Sequence, residues 1–402
     1  MSTPHLCQIS DSWMRLRAKA VVVASSVVFL VGLAFPSQAQ TFSLLYTFTG
    51  KSDGGYGGNA PLLMDKRGNL FGTTLGGGNK NCDPPLGCGT VFELDPTGKE
   101  SVLYTFNEQY SVPSGLVMDG KGNLYGVTEG GGDFGGGDVY TLHVGPNSTR
   151  KILYSFAGGA DGNGPFSLVQ DNSGNLYGVT VSGGAYNYGT VFKVDPHGIE
   201  TVLYSFSGGA DGQAPESTLL LDGAGNLYGT TVLGGSLGGG TVFKIDSAGK
   251  ESVLYSFSGG TDGARPSNGA MVADAEGNLY GTTSEGGSAG CLCGVVFKLD
   301  TDGNLHVLHT FTGGDGKYPT GVILDSAGNL FGTTGAGGKP ANSGTVFELD
   351  PTGKETVLYS FTDGADGAFP EAGLLRDTNG NLYGTTFSGG TYNLGTVFKI
   401  AP

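Results

Sequence analysis

The chain has 402 residues, of which 38% are hydrophobic, and it carries a formal net charge of −15 at pH 7. Its 77 glycines and 17 prolines follow no period of three, which excludes a collagen-like chain, and the apolar fraction is sufficient for a packed core. The acidity disfavours nucleic acid and anionic membranes as partners, since both repel a negatively charged surface.

The first 39 residues have the layout of a secretory signal peptide. Basic residues precede an apolar run at residues 20–35, and Ser37-Gln38-Ala39 places small residues at the −3 and −1 positions of a cleavage site. The alternative is an uncleaved membrane anchor, but the run is short for a span. We therefore predict that the chain is secreted or held at the cell surface or in the periplasm, and that the mature part, residues 40–402, contains no membrane span.

The rest of the chain consists of seven repeats. The asparagine of the motif Gly-Asn-Leu-Tyr/Phe-Gly recurs at spacings of 51 to 54 residues, at Asn69, Asn123, Asn175, Asn226, Asn278, Asn329 and Asn381. Each repeat holds four short apolar runs, here named strands a, b, c and d, that are rich in Val, Leu, Tyr, Phe and Thr. Four strands in each of seven repeats predict an all-β, seven-bladed β-propeller.

The ends of the chain predict how the ring closes. A d-type strand at residues 44–48 opens the mature chain, and a c-type strand at residues 395–400 ends it. The last blade therefore lacks its own d strand, and the N-terminal strand can complete it and cover an exposed edge.

The connections predict two different faces. The a–b turns read Asp-x-x-Gly-Asn in every repeat and most c–d turns also begin with Asp, which is typical of tight hairpins. The b–c and d–a loops are longer, and each b–c loop contains a Gly-Gly pair. Since binding residues concentrate on variable loops, we predict that a ligand binds the face formed by the b–c and d–a loops.

Acidic residues are the candidate binding residues of that face. Six d–a loops carry an Asp-Gly pair, and Glu216 and Glu371 are placed to line the mouth of the central channel. The aspartates fit a ring that binds a divalent cation such as calcium or sugar hydroxyls, but they also fit a purely turn-forming role. They are Asp53, Asp161, Asp211, Asp262, Asp315 and Asp366.

The four mature cysteines fall into two pairs within b–c loops. Cys82 and Cys88 belong to the first blade, and Cys291 and Cys293 to the fifth. Because those blades are not neighbours in a seven-membered ring, bonds between the two pairs are excluded by distance. Export favours oxidation, so the disulfides Cys82–Cys88 and Cys291–Cys293 are predicted.

The repeat resembles a known family. Gly225-Asn226-Leu227-Tyr228-Gly229, followed by Gly240-Thr241-Val242-Phe243-Lys244, is similar to the Gloeobacter/Verrucomicrobia tandem repeat, and more distantly to NHL-type propeller repeats. The resemblance implies an exported bacterial protein and no common activity. Many members carry a C-terminal sorting anchor, whereas this chain stops at Pro402.

The sequence favours a non-catalytic binding or scaffold module, monomeric, with an extracellular glycan or protein as partner. It contains no nucleophile elbow and no phosphate loop, and we place none of its mature histidines, His143, His197, His306 and His309, on the loop side. The first alternative is a propeller hydrolase or lyase that uses carboxylates at the channel mouth. The second is a structural protein of the cell envelope.

Overall fold

The computed structural model describes residues 40–145, 148–266, 269–288 and 290–402. The predicted signal peptide, residues 1–39, lies outside the described residues and stays a prediction. No helix in the described part of the chain is long and apolar enough to span a bilayer.

The described residues form seven antiparallel sheets, as the repeats predict, and the seven-bladed propeller is confirmed. The a strands are β2 (Gly55–Gly57), β3 (Leu63–Met64), β7 (Pro113–Met118), β11 (Asn163–Gln170), β15 (Leu220–Leu221), β19 (Val272–Ala273), β23 (Lys317–Leu324) and β27 (Leu375–Arg376). The b strands are β4 (Leu70–Gly76), β8 (Leu124–Thr128), β12 (Leu176–Ser182), β16 (Leu227–Thr231), β20 (Leu279–Thr283), β24 (Leu330–Ala336) and β28 (Leu382–Thr386). The first blade holds both β2 and β3, each paired with β4.

The c and d strands complete each sheet in the order a-b-c-d. The c strands are β5 (Thr90–Leu94), β9 (Asp138–His143), β13 (Thr190–Val194), β17 (Thr241–Ile245), β21 (Val295–Leu299), β25 (Thr345–Leu349) and β29 (Thr396–Ala401). The d strands are β6 (Glu100–Thr105), β10 (Thr149–Ser155), β14 (Glu200–Ser205), β18 (Glu251–Ser256), β22 (Leu305–Thr310), β26 (Glu355–Ser360) and β1 (Thr41–Thr47).

The ring closes as predicted. Strand β1 pairs with β29 in the sheet of the seventh blade, with Thr41 opposite Ala401 and Thr47 opposite Thr396. The backbone N–H of Phe48, just beyond β1, donates to the carbonyl of Gly395 at 3.1 Å. The N-terminal strand therefore supplies the outer strand of the last blade.

Aromatic pairs hold neighbouring blades together at all seven junctions. At each junction a Phe that follows strand d packs edge-on against an aromatic residue of strand c in the next blade, with ring centroids 4.9–5.7 Å apart. Edge-to-face contact is a favoured arrangement of aromatic rings, and each ring also buries a large apolar area. The pairs are Phe48–Phe92, Phe106–Tyr140, Phe156–Phe192, Phe206–Phe243, Phe257–Phe297, Phe311–Phe347 and Phe361–Phe398.

The a–b turns follow the chemistry that their sequence predicts. In the fourth blade, Oδ1 of Asp222 accepts hydrogen bonds from the backbone N–H groups of Ala224 (2.9 Å) and Asn226 (2.8 Å). Oδ2 of Asp222 accepts from the Asn226 side chain at 2.7 Å. The same hydrogen-bond pattern recurs in every a–b turn. We call the face on which the a–b and c–d turns lie the turn face.

Candidate functional site

The b–c and d–a loops lie together on the opposite face, which we call the loop face. The N–H of Gly184, in a b–c loop, donates to Gly159 in a d–a loop at 2.9 Å, and Gly235 does the same with Gly209. The described b–c segments are 77–89, 129–137, 183–189, 232–240, 284–288 with 290–294, 337–344 and 387–395. The described d–a segments are 48–54, 106–112, 156–162, 206–219, 257–266 with 269–271, 311–316 and 361–374.

Residues in the left-handed backbone conformation surround the entrance to the a strands. Side chains other than glycine rarely adopt a positive φ, and bulky ones do so only where the surroundings impose it. In five blades such a residue stands at this entrance, with φ between 52° and 60°: Tyr56, Ala214, Arg265, Tyr318 and Phe369. Clusters of strained residues of this kind are more common at functional sites than elsewhere.

Hydrogen bonds between blades impose this conformation. The N–H of Arg265 donates to the carbonyl of Gly239 in the preceding blade at 2.9 Å, and the carbonyl of Arg265 accepts from Ser284 at 3.0 Å. The N–H groups of the other four residues also donate to a b–c loop of the preceding blade, at 2.6–3.0 Å. Each left-handed residue is thus fixed between two blades. Proline follows four of these five residues, and a residue before proline favours the extended backbone. The sequence alone therefore did not predict the left-handed conformation.

The fixed backbone presents aromatic and charged side chains at the entrance. The ring of Tyr56 packs against Phe387 with centroids 5.1 Å apart. Arg265 forms an ion pair with Glu285, with Nε and Oε2 3.3 Å apart, and both side chains are about half exposed. These groups can contact a ligand because they stand on a rigid frame and still reach solvent.

The two predicted rim glutamates lie on the same face and are partly buried. Burial raises the pKa of Glu216, against the opposing charge of Arg265, and burial raises the pKa of Glu371. Glu129, which the sequence analysis missed, follows strand β8, and its pKa is raised by burial and then by the charge of Glu216. The negative charge of Glu216 therefore acts on Glu129.

The six predicted aspartates of the d–a loops are bonded within their own loops. Oδ2 of Asp211 accepts from the Tyr204 hydroxyl at 3.0 Å and from the Ser207 N–H at 2.7 Å, and Oδ1 accepts from the Ser207 hydroxyl at 2.6 Å. Asp53, Asp161, Asp262, Asp315 and Asp366 make equivalent bonds, with His309 in place of tyrosine at Asp315. This geometry favours the turn-forming role, and a binding role for the ring of six stays a prediction.

Asp211→Asn is therefore expected to destabilise the fold by about 1–3 kcal/mol, because an amide offers a single acceptor oxygen and no charge to three converging donors. Asp302→Asn, in an exposed c–d turn, is the matched control and should change the free energy of unfolding by less than about 0.5 kcal/mol. Urea unfolding of both variants measures the difference. Equal stabilities would show that Asp211 contributes nothing as a turn former.

A glutamate from the next blade approaches four of these loops. Glu100, Glu200, Glu251 and Glu355 begin d strands, and Oε1 of each is buried without a hydrogen-bond partner. Burial raises the pKa of Glu100, Glu200 and Glu251 to about 7, and the charges of Asp53, Asp161 and Asp211 add to the rise. These carboxyl groups are therefore partly protonated near neutral pH.

A raised pKa in the folded state makes stability depend on pH. The contribution of these glutamates is fully present below the unfolded-state pKa of 4.5 and is lost as the pH rises through about 7. We expect the wild type to lose stability between pH 5 and 8 more steeply than the triple variant Glu100→Gln/Glu200→Gln/Glu251→Gln. Urea midpoints at each pH compare the two proteins, and parallel curves would contradict the pKa shifts.

The junction between the first and second blades uses a different set of charges. Arg150 stands where four of the other d strands have Glu, and it forms ion pairs with Asp138 and, at 3.5 Å, with Glu108. The side chains of Arg150 and Asp138 are 4% and 0% exposed. Glu108 takes the place of the missing loop aspartate and also accepts from the N–H of Gly132 at 3.2 Å. The charges that differ from those of the other junctions are therefore balanced by opposite charges at the same junction.

One sequence prediction about histidine is wrong. His309 lies on the d strand β22, as expected, but near its last residue, where Nε2 reaches Oδ2 of Asp315 on the loop face at 3.1 Å. Strand d runs directly into the d–a loop, so residues at its C-terminal end lie at the loop face. The predicted disulfides Cys82–Cys88 and Cys291–Cys293 are both present, with Cα atoms 6.1 and 5.1 Å apart.

Two clefts, of about 1100 and 810 Å³, open on the turn face. The larger is lined by Asp119, Asp171, Lys121 and the ends of inner strands. Both aspartates are already bonded to the asparagines of their own turns, at 2.8 and 2.7 Å. These two carboxylates of the cleft are therefore already engaged in turn formation.

Three overlapping matches to the family model of the Gloeobacter/Verrucomicrobia repeat cover residues 30–167, 113–290 and 247–402. The chain belongs to this repeat family. No curated protein sequence matches it significantly.

Among solved structures, the repeat protein is similar to a catalytically inactive virginiamycin B lyase from Staphylococcus aureus bound to quinupristin, with 11% identity and a TM-score of 0.55, over 90% of this chain and 99% of the lyase. It is also similar to the extracellular domains of two sensor systems from B. thetaiotaomicron. For the hybrid two-component system the identity is 14% and the TM-score 0.56, over 90% of this chain and 41% of that one. For the one-component system the identity is 9% and the TM-score 0.54, over 89% of this chain and 40% of that one. At these identities the likeness shows the fold alone.

Proposed function

We propose that this protein is a non-catalytic binding propeller whose loop face takes a glycan. The observation that carries the proposal is the distribution of exposed aromatic side chains. All six large exposed aromatics of the described residues lie in the loop-face segments or at the adjoining strand entrance: Tyr110, Phe134, Tyr186, Tyr188, Tyr318 and Tyr392. Their exposed fractions run from 42% to 67%. Exposed apolar surface gathered on one face is typical of an interaction site.

The chemistry of the face fits a sugar chain. Aromatic rings pack against the C–H faces of sugar rings, and the glutamates and backbone groups around them offer hydrogen bonds to hydroxyl groups. Glu129, Glu216 and Glu371 supply such acceptors. The acidic surface disfavours phosphate-bearing ligands. Secretion, which this function needs, remains part of the proposal.

The test is binding of the purified protein to a panel of soluble and immobilised polysaccharides, including xylan, mannan, laminarin and chitin oligosaccharides. Tyr110→Ala/Tyr318→Ala removes two exposed rings. If each contributes about 0.5–1.5 kcal/mol, affinity falls roughly 5- to 150-fold. Ile199→Ala/Val253→Ala removes exposed apolar side chains from a c–d turn and an outer strand, and affinity should not change. Equal affinity of both variants, or no binding to any glycan by the wild type, would contradict the proposal.

A carboxylate-based hydrolase or lyase is the second candidate, and the raised pKa of Glu129, to which the charge of Glu216 contributes, favours it. A carboxyl group whose pKa lies above its usual value is suited to act as a general acid. Glu129→Gln/Glu216→Gln separates the two functions. If the protein is an enzyme, this variant binds the glycan but releases no product where the wild type does. If the protein is a binding module, the wild type itself releases none.

A further inference from the structure

The junction between the fifth and sixth blades brings together an imidazole and two carboxylates. His309 lies in β22, Asp315 in the following d–a loop, and Glu355 at the start of β26 in the next blade. One ligand atom of each lies within 4.8 Å of the others, and all three residues are partly buried. Within the described ranges, no other set of three His, Cys, Asp or Glu side chains brings its ligand atoms this close together.

The hydrogen bond between Nε2 of His309 and Oδ2 of Asp315 has to give way to a bound metal ion, and the remaining contacts hold the carboxylate in place. Oδ1 of Asp315 accepts from the N–H and the hydroxyl of Thr312, both at 2.9 Å, which fixes the carboxylate and turns Oδ2 toward His309. Oδ2 lies 3.1 Å from Nε2 of His309. Oε1 of Glu355 is buried and has no hydrogen-bond partner. A buried oxygen without a partner is costly unless a cation, a proton or water satisfies it.

We propose that His309, Asp315 and Glu355 bind one zinc ion through Nε2, Oδ2 and Oε1. One imidazole and two carboxylates form a ligand set that zinc accepts, and water completes the tetrahedron. Calcium takes six to eight oxygen ligands and is not expected here. Zinc–ligand bonds of about 2.0–2.2 Å place neighbouring ligands about 3.3–3.6 Å apart. The His309–Asp315 distance is already near this value, and rotation of the Glu355 side chain closes the remaining gap.

The other junctions serve as internal comparisons. Tyr204, Asp211 and Glu251 occupy the same three places two junctions away, with a phenol where His309 has an imidazole. The Tyr204 hydroxyl donates its proton to Asp211 at 3.0 Å, so it offers no nitrogen ligand. At the junction between the fourth and fifth blades, Leu305 stands in place of the glutamate. The complete ligand set therefore arises at one junction only within the described chain.

Zinc bound at this place joins the outer strands of two neighbouring blades. An ion that binds only the folded state stabilises it by mass action. The site uses none of the exposed aromatic residues or glutamates on which the glycan-binding proposal rests, so either proposal can fail without the other. Its role is structural, because it adds a bond between two blades.

The experiment is isothermal titration of zinc chloride into the full-length, EDTA-treated protein, with thermal melting as a second readout. We expect one equivalent bound by the wild type and a higher melting temperature with zinc. His309→Tyr restores the residue of the sister junctions, should melt near the wild-type temperature in EDTA, and should lose the bound equivalent. Glu355→Gln should bind at least about tenfold more weakly. His306→Gln removes an exposed histidine that pairs with Asp300 at 3.1 Å, and it should bind zinc like the wild type.

A variant designed to gain a second zinc site provides a further test. Tyr204→His places an imidazole beside Asp211 and Glu251 and should raise the stoichiometry to two. No zinc bound by the wild type, equal binding by His309→Tyr, or loss of binding in His306→Gln would each overturn the site. Stabilisation by calcium chloride but not by zinc chloride would overturn the choice of metal.

Discussion

Phe48→Ala is expected to lower the free energy of unfolding by about 3–5 kcal/mol, the usual cost of truncating a fully buried Phe. Phe48 is 0% exposed and packs on Phe92 of the first blade, while its N–H bonds to Gly395 of the last. A single residue near the N-terminus thus supports the closure of the ring. Deletion of residues 40–49 should lower the melting temperature further, because it also leaves the edge of β29 unpaired.

Leu44→Ala is the matched control for Phe48→Ala. Leu44 lies in β1, the strand that Phe48 follows, pairs with Phe398 across the sheet, and is 42% exposed. Its truncation should cost less than about 1.5 kcal/mol, since much of its side chain is already in water. Urea unfolding of the two variants measures the contrast. Similar losses in both, or a deletion of residues 40–49 that leaves the melting temperature unchanged, would mean that the N-terminal strand does not close the ring.

Arg150→Met is expected to have the second large effect, a loss of about 3–5 kcal/mol, because it leaves Asp138 buried and without its cation. Burial raises the pKa of Asp138, and the Ser155 hydroxyl and Arg150 oppose that rise. Lys151→Met, on the exposed side of the same strand, is the control and should be close to neutral.

The double variant Asp138→Thr/Arg150→Met tests the pairing itself. Thr occupies the position of Asp138 in five of the other c strands, so the substitution suits the fold. Removing both charges leaves no lone buried ion, and the double variant should lose much less stability than the two single variants added together. Additive losses would show that the two side chains act independently.

The sequence predicted the architecture because the same turn and strand motifs recur in all seven repeats. The Asp-x-x-Gly-Asn turns fix the hairpins, and the spare strand at residues 44–48 has one unpaired partner, the c strand of the last blade. Both inferences need only local chemistry and the count of strands. For the same reason the loop cysteines could be paired, since ring order alone separates the two loops.

The details of the site depend on contacts between blades, which a single sequence does not state. The positive φ of Arg265 comes from hydrogen bonds to Gly239 and Ser284, not from any preference of arginine. Arg150 became interpretable once Asp138 and Glu108 were seen beside it. His309 reaches Glu355 across a junction although 46 residues separate them in the chain. Comparison of equivalent positions among the repeats could have marked Arg150 and His309 as exceptions, but not their partners.

Hydrogen–deuterium exchange with and without the tightest-binding polysaccharide of the panel tests the central claim, that the loop face is the binding surface. The account predicts slower exchange in segments 106–112, 183–189 and 311–318 and no change in the a–b turns around Asp119 and Asp171. Protection confined to those turns, or to the outer strands, would contradict it and would place the binding surface on the turn face or the rim of the propeller.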